Sequence, residues 1–483
     1  MSQQQRSLKN EFFRFAVVAL FLRGAWLMVD SRPRFFLGDS ESYLATAIGV
    51  WIPPDRSWIY GLVVNGILGM THRLTAVIAA QACLSAMSCV ATACLLRSLN
   101  VSSRVAWAAL LLQSLDPLTH YFDRSLLTDA PAAAVTWIGL ALSAAGLAHA
   151  NGWLWIAAVP FLWATILLRT ALLPMVAMPA VVGLGAGLWF ALMRPGQSTP
   201  PPNWRSRLGP LLGPSLQAAG VVAGLAAYSM ANGALTGMPP SLNAKQGYFL
   251  LGQVAPILTV ADFEGLGVEE PARLLAESNH AEYRLRTWQV FGDTGMVPRM
   301  ERQFGDWRRT EMTTRVLARR AILRDPVGFL RLAARCAIEY VTPGVNPIVF
   351  ATGFGLDRPL PDGMVASLRS KVREPIDADM VALPSPTLAG IRRWSHALPG
   401  LTALTMLAPV IALLRIRRSA GGFQSVVMIT GLTIWAYAAF LAAFSIGYVQ
   451  RYLLELTPVL VVHLGILLDD GMRRRDESPM RAE

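Results

Sequence analysis

Residues 12–29 read FFRFAVVALFLRGAWLMV, an apolar run long enough to cross a bilayer as a helix. The run is followed by Asp30-Ser31-Arg32-Pro33 and not by the small residues of a cleavage site, so it reads as a retained first span and not as a secretory leader. The rest of the 483-residue chain agrees: it is 53% hydrophobic and only 15% charged, well below the ~25% charge of a soluble globular chain. The fold class is therefore all-α, polytopic and membrane-embedded.

Ten apolar segments are long enough to count as spans: 11–29, 74–96, 104–121, 127–149, 153–170, 171–193, 209–231, 397–414, 422–446 and 452–468. Two are irregular. The run from Trp153 to Met193 has almost no loop, so it must turn tightly near Arg169 to Pro174, and the span from Arg104 is short and contains Asp116-Pro117. With the N-terminal tail (Arg6, Lys9) in the cytoplasm, Arg97/Arg104, Arg194/Arg205/Arg207, Arg415/Arg417/Arg418 and Arg473/Arg474/Arg475 all fall on the same side. Both termini are then cytoplasmic. The stretch Ser198-Thr199-Pro200-Pro201-Pro202 becomes an extended cytoplasmic linker.

Three parts follow: an N-terminal membrane module over 1–231, an extracytoplasmic insert over 232–396, and a C-terminal module with a short tail over 397–483. The insert carries 20 basic and 17 acidic residues, a balance that long translocated domains tolerate. It reads as mostly helical, with Asp325-Pro326 separating two helices and Gly and Pro at 343–363 marking a loop. Arg315/Arg319, Arg320/Arg324 and Arg331/Arg335 are spaced i,i+4, as on a solvated face or one meeting lipid phosphates. In the first outer loop, Trp58 to Met70 is apolar but too short to cross and should lie in the interface or re-enter.

The formal charge of +12 is a topology signal here, because no basic stretch interleaved with aromatics suggests a nucleic-acid surface. No P-loop pattern is present, which argues against an ATP-driven pump. Cys83, Cys89, Cys94 and Cys336 form no CxxC and read as small apolar residues. His72, His120 and His463 lie near span ends without ligand spacing and read as packing residues.

Against this apolar background, carboxylates at a membrane face need a reason to be there. Gly38-Asp39-Ser40-Glu41-Ser42-Tyr43 follows the first span. Asp39 is placed either to cap a helix starting near Ser40 or to act as a general base, a role that burial would favour by raising its pKa. Asp39 and Glu41, as Asp-x-Glu, are also a donor pattern for a divalent metal, and metal dependence stays open. Arg56 lies in the same loop, Arg169 at the hairpin turn and Arg451 at the outer mouth of the last span. Each is suited either to snorkel to headgroups or to meet an anionic phosphate.

Gly38 to Leu44 resembles the first-loop motif of the GT-C glycosyltransferases, polytopic enzymes that use polyprenyl-phosphate sugars and include protein mannosyltransferases and the aminoarabinose transferases of lipid A. Asp123-Arg124-Ser125-Leu126-Leu127-Thr128-Asp129 resembles their acidic second-loop segment, and Asp129, with Pro131 two residues on, also reads as a helix cap. Leu167 to Pro174 resembles their basic turn between two spans, and Arg451-Tyr452-Leu453-Leu454 the start of a late span. The resemblance covers nearly the whole chain. It implies an inverting transfer at an extracytoplasmic site of a cell (inner) membrane enzyme, with Asp39 as base. Glu41, Tyr43, Arg56, Asp129, Arg169, Arg451 and Tyr452 would line the substrate cavity. The implied partners are a polyprenyl-phosphate sugar donor, the lipid bilayer, and a glycan, lipid or protein acceptor.

The chain departs from members that carry Asp-Asp or Glu-x-Asp in the first loop, and it has no evident C-terminal carbohydrate-binding β-domain. Two rival readings remain: a transporter of lipid-linked substrate, which calls for mid-span charges and related halves, and an O-antigen ligase or polymerase, which needs no acid after the first span. The sequence shows few of the former and no halves.

Overall fold

The computed structural model describes residues 3–36, 38–49, 51–192, 204–342, 361–376, 386–394, 397–415, 421–445, 451 and 454–477. The linker at 198–202, most of the expected loop at 343–363, and Tyr452 lie outside the described residues. Among the described residues the structure is helical without strands, apart from one isolated parallel bridge between Arg34 and Ser125.

In chain order the helices are α1 (Gln3–Val29), α2 (Asp39–Gly49), α3 (Ile59–Thr71), α4 (Leu74–Ser98), α5 (Ser103–Ser114), α6 (Pro117–Asp123), α7 (Asp129–Ala148), α8 (Gly152–Leu168), α9 (Leu173–Leu192) and α10 (Trp204–Thr236). The insert supplies α11 (Gln246–Val254), α12 (Pro271–Glu277), α13 (Arg286–Phe291), α14 (Met296–Phe304), α15 (Trp307–Arg324), α16 (Pro326–Val341), α17 (Asp362–Lys371) and α18 (Pro386–Trp394). The chain then returns through α19 (Leu398–Arg415), α20 (Gly421–Phe444) and α21 (Leu456–Glu477).

Among the described residues, seven segments are long and apolar enough to span: 10–29, 74–98, 129–148, 170–189, 211–236, 398–415 and 422–444. The chain is thus a helical, multi-pass membrane protein. The other three expected spans differ in detail. Segment 104–121 is two helices, because the Asp116 carboxylate accepts from Leu118 N (3.1 Å) and Thr119 N (3.2 Å) and Pro117 begins a new helix there. α8 has only 17 residues. The last helix starts at Leu456, later than expected, and runs on into its charged end.

The short apolar stretch after Trp58 is α3, packed against α2 and α4. The tight hairpin is also present: α8 ends at Leu168, Arg169 is extended, and a 3-10 turn over Thr170–Leu172 leads into α9. The hairpin and α10 approach closely where glycines face indoles, since a Cβ on Gly183 or Gly213 would sit 2.5 Å or 2.7 Å from Trp155.

Both ends of the bundle are tied. At one end Arg97 pairs with Glu11 (2.8 Å), Ser102 N donates to Asp469 (2.8 Å), and Arg474 donates to the Arg415 carbonyl (2.8 Å). At the other end the insert closes over the first loop. Glu374 accepts from Leu74 N (2.8 Å) and Thr75 N (3.2 Å), capping α4 from 300 residues away, and Arg373 N donates to the His72 carbonyl (3.0 Å). Within the insert, Asp325 caps α16 through Gly328 N (2.7 Å), the break expected at Asp325-Pro326. The arginines of α15 are not all solvated. Arg320 donates to the carbonyls of Asp262 (2.9 Å) and Glu264 (2.7 Å), and Arg324 pairs with Asp262 (3.0 Å).

A polar knot inside the bundle holds the α5–α6 break against α1 and α4. Arg23, only 2% exposed within the first span, pairs with Asp123 (3.1 Å), lies 3.0 Å from His120 Nδ1 and donates to the Gln113 carbonyl (2.9 Å). Ser85 Oγ donates to Asp123 (2.5 Å), and Gln81 Nε2 donates to the carbonyls of Asp123 (2.7 Å) and Ser125 (3.0 Å). Breaking such a pair from one side leaves a buried charge uncompensated. Arg23→Leu is therefore expected to destabilise the protein by about 3–5 kcal/mol in denaturant titrations in detergent. Arg23→Leu/Asp123→Leu should recover part of that loss; a double variant as unstable as the sum of its singles would show that the pair is not coupled.

Candidate functional site

The local structure before Asp39 is built by the knot's outer edge. Arg34 N donates to the Arg124 carbonyl (2.8 Å), and Leu126 N donates to the Arg34 carbonyl (2.9 Å). Beyond this bridge, the fully buried Ser40 Oγ accepts from Phe36 N (2.7 Å) and donates to the Leu126 carbonyl (2.8 Å). Arg124 reaches back to Asp30. The segment leading to Asp39 and the segment leading to Asp129 are thereby fastened side by side. Gly38 makes the turn into α2 with φ +79°, in the left-handed region where a Cβ is strained.

Asp39 is the first residue of α2, and its carboxylate is held between two guanidinium groups. Arg56 donates to Oδ1 and Arg451 to Oδ2. Arg56 also pairs with Asp55 (2.6 Å), contacts the Gly38 carbonyl (3.4 Å) and lies 5.8 Å from the Tyr43 ring centroid. Arg451 stands over the Phe36 ring (4.7 Å) and reaches Asp129 with its Nε (3.6 Å). Asp129 in turn accepts from Arg169, whose guanidinium lies 3.6 Å from Glu455. Tyr43 OH lies 3.2 Å from the Thr128 hydroxyl. The result is a row of alternating charge running inward. Side-chain exposure falls from 20% at Asp39 through 9% at Arg169 to 1% at Glu455.

Of the residues expected to line a site, Asp39, Tyr43, Arg56, Asp129, Arg169 and Arg451 come together from four distant parts of the chain. Glu41 does not join them. It sits on α2, partly exposed, with no ion pair to any described residue. Three expectations need correction. Arg169 does not snorkel; it is buried and paired. Asp129 is not a cap, since Thr128 holds that position without a side-chain bond and Asp129 serves the arginines from the first turn of α7. Asp39 does not have the raised pKa foreseen for it. Burial alone would push its carboxyl up, but Arg451 and Arg56 outweigh burial and hold it well below the usual carboxylate range. Burial, opposed by Arg56, pushes the Tyr43 hydroxyl up to about 12.

A divalent metal does not fit this donor set. Both Asp39 oxygens are taken by guanidinium groups, and no three His, Cys, Asp or Glu side chains among the described residues are grouped for an ion. Of the histidines, His120 and His463 are buried in side-chain contacts, while His72 lies at the insert seam. Cys89 and Cys336 are buried as expected, but Cys83 is exposed.

Two neighbours in the cluster escaped the sequence reading. Glu455 was legible in principle as the sole acidic residue between Asp379 and Asp469. Asp55 was passed over as the neighbour of Arg56. The loop 51–58 that carries Arg56 is pinned on both sides: Ser57 Oγ donates to the Leu167 carbonyl, Ala244 N to the Pro54 carbonyl (2.9 Å) and Asn243 Nδ2 to the Asp55 carbonyl (2.7 Å). Against the insert, the same loop forms a wall of an open cavity of about 610 Å³. Its lining includes Trp51, Pro54, Lys245, Glu301, Trp307 and Arg308.

Compared with known proteins, the chain matches no family model and no curated protein at a significant level.

The electrostatics of Asp39 fix the sign of a pH effect. A carboxyl whose pKa is lowered on folding contributes stability that is fully present above its unfolded pKa, about 3.9, and is lost as pH falls through the folded value. The stability gap between wild type and Asp39→Asn, followed by denaturant unfolding, is expected to stay constant above about pH 5 and to narrow below about pH 4. A gap that widens on acidification would contradict the paired geometry.

Proposed function

We propose that the protein is an integral membrane glycosyltransferase of GT-C type that moves a sugar from a polyprenyl-phosphate carrier to an envelope glycan, lipid or protein acceptor. The observation that carries this reading is the meeting of Asp39 with Arg56 and Arg451, extended by Asp129 and Arg169, at the insert-covered end of a helical bundle. A carboxylate for the acceptor and several guanidinium groups for a phosphate leaving group are what such a transfer requires. The positive-inside pattern supports a topology with this end outside the cytoplasm and both termini within it, in a cell (inner) membrane. Nucleotide sugars are not found on that side, so the sidedness calls for a lipid-linked donor.

In the reaction, the acceptor hydroxyl oxygen attacks the anomeric carbon from the face opposite the phosphate. The bond from that carbon to the phosphate oxygen breaks, and its electron pair stays on the released polyprenyl phosphate. The hydroxyl proton passes to Asp39 and then to water. In the resting geometry Asp39 is a weak base, because Arg56 and Arg451 stabilise its anion. A donor phosphate competing for those two arginines would loosen both contacts and restore basicity. The cavity between loop 51–58 and the insert, with its two indoles and mixed charges, suits a hydroxyl-rich group, though none of the row residues lines it.

The transporter reading gains one buried mid-span charge, Arg23, but that residue is fully engaged by Asp123, His120 and Gln113 in a knot that fixes helices. The ligase reading leaves Asp39 without a task. Asp39→Asn is expected to lower transfer at least ~100-fold while membrane insertion stays normal. Glycolipid profiles of deletion cells complemented with wild type or the variant provide the assay and identify the sugar. Near-full complementation by Asp39→Asn would overturn the assignment.

A further inference from the structure

The row of charges poses an electrostatic problem for any anion. Among the described residues, three cations, Arg56, Arg169 and Arg451, sit among four carboxyl groups, Asp39, Asp55, Asp129 and Glu455. With all four ionised, an entering phosphate meets no surplus of positive charge, and like charges a few Å apart in a partly buried site are strongly unfavourable.

Glu455 differs from the other three. It lies in the turn before α21, outside the seven long apolar spans, and its side chain is 1% exposed. Its Oε2 accepts from the Tyr437 hydroxyl at 3.4 Å. Its Oε1 accepts no hydrogen bond and stands 3.6 Å from an Arg169 nitrogen that Asp129 already engages. Among the described residues, the charged and titratable groups that face it are Arg169 from the end of α8, Asp129 from the start of α7 and Tyr437 from α20. Burial, opposed by Arg169, pushes its carboxyl up to about 7.

We infer that Glu455 is the proton-carrying group of the site: as an anionic phosphate binds at Arg56 and Arg451, one proton moves from water onto Glu455. The neutral acid no longer competes with Asp129 for Arg169. Asp129 in turn needs Arg451 less, so Arg451 is released toward the phosphate. This inference rests on the reading of the cluster as a phosphate site.

The test uses the full-length protein in detergent with dihexyl phosphate, a phosphodiester whose charge does not change between pH 6 and 9. Calorimetry in buffers of different ionisation enthalpy reads the protons taken up. The expected result is uptake approaching about one proton per ligand at pH 8 and vanishing near pH 6, with affinity falling up to about tenfold per pH unit above 7. In Glu455→Gln, uptake should vanish and affinity become independent of pH. Binding without uptake in wild type, or uptake that persists in Glu455→Gln, would overturn the proton assignment and leave the phosphate site standing. No binding at any pH would overturn both. The wild-type measurement decides the matter if the variant does not fold.

The insert also carries an apolar stripe at helical spacing. Leu323 at the end of α15 (71% exposed) is followed on α16 by Val327 (55%), Leu330 (65%), Ile338 (59%) and Val341 (39%). The opposite face of α16 packs along α19 and α20, with Cys336 Sγ 3.9 Å from the Ser445 carbonyl just beyond α20. Those two spans expose apolar side chains of their own, among them Leu407 (56%) and Phe444 (47%). The stripe therefore extends the apolar surface of the spans, and Arg331 is exposed beside it. We propose that α16 seats this face in the phospholipid bilayer and anchors the insert to the membrane.

A nitroxide on Leu330→Cys, in full-length protein with Cys83→Ala and Cys94→Ala in phosphatidylcholine vesicles, should be more accessible to oxygen than to a water-soluble nickel chelate. Greater access to the chelate would overturn the proposal. So would spin–spin broadening between two copies, which would assign the face to self-association.

Discussion

Two backbone hydrogen bonds that fasten Arg34 between Arg124 and Leu126 set the positions of both Asp39 and Asp129. Everything polar nearby is arranged around that fastening. Ser40 repeats it one turn on, Gln81 and Ser85 brace it from α4, and Arg23 braces it from α1. In an apolar bundle such groups have no water to fall back on, so each must find its partner in the protein. The requirement makes the fastening rigid, and the rigidity is what places two acids at separate helix starts within reach of shared arginines.

The chemistry this permits follows from competition. Every guanidinium in the row is already engaged by a carboxylate, and Asp39 is stabilised as an anion by its neighbours. On the proposed reading, such a site would stay quiet until another anion enters and exchanges partners, and the order in which contacts are surrendered would decide when Asp39 acts as a base.

How much of this could be read in advance depended on how rare charge is in the chain. Asp39, Arg56, Asp129, Arg169 and Arg451 were legible because each interrupts an apolar sequence near a span end. Their pairings were not, since Asp39 and Arg451 are 412 positions apart and nothing local encodes the contact. Arg23 was hidden by averaging, because one charge barely moves the hydropathy of a 20-residue span. Asp116-Pro117 announced the break between α5 and α6, as capping and proline chemistry require. The lowered pKa of Asp39 was foreseen with the wrong sign, because burial was visible from the sequence and the two guanidinium partners were not.

The carboxylate of Glu374 on the first amides of α4 carries a consequence for biogenesis. When the ribosome has delivered residue 74 to the membrane, the group that completes that helix end is still three hundred codons from being translated. The fourth helix end must therefore wait for its cap until the late segment has been made and has folded back. The two membrane modules and the insert thus mature together, and the first loop takes its final shape only when the chain is nearly finished.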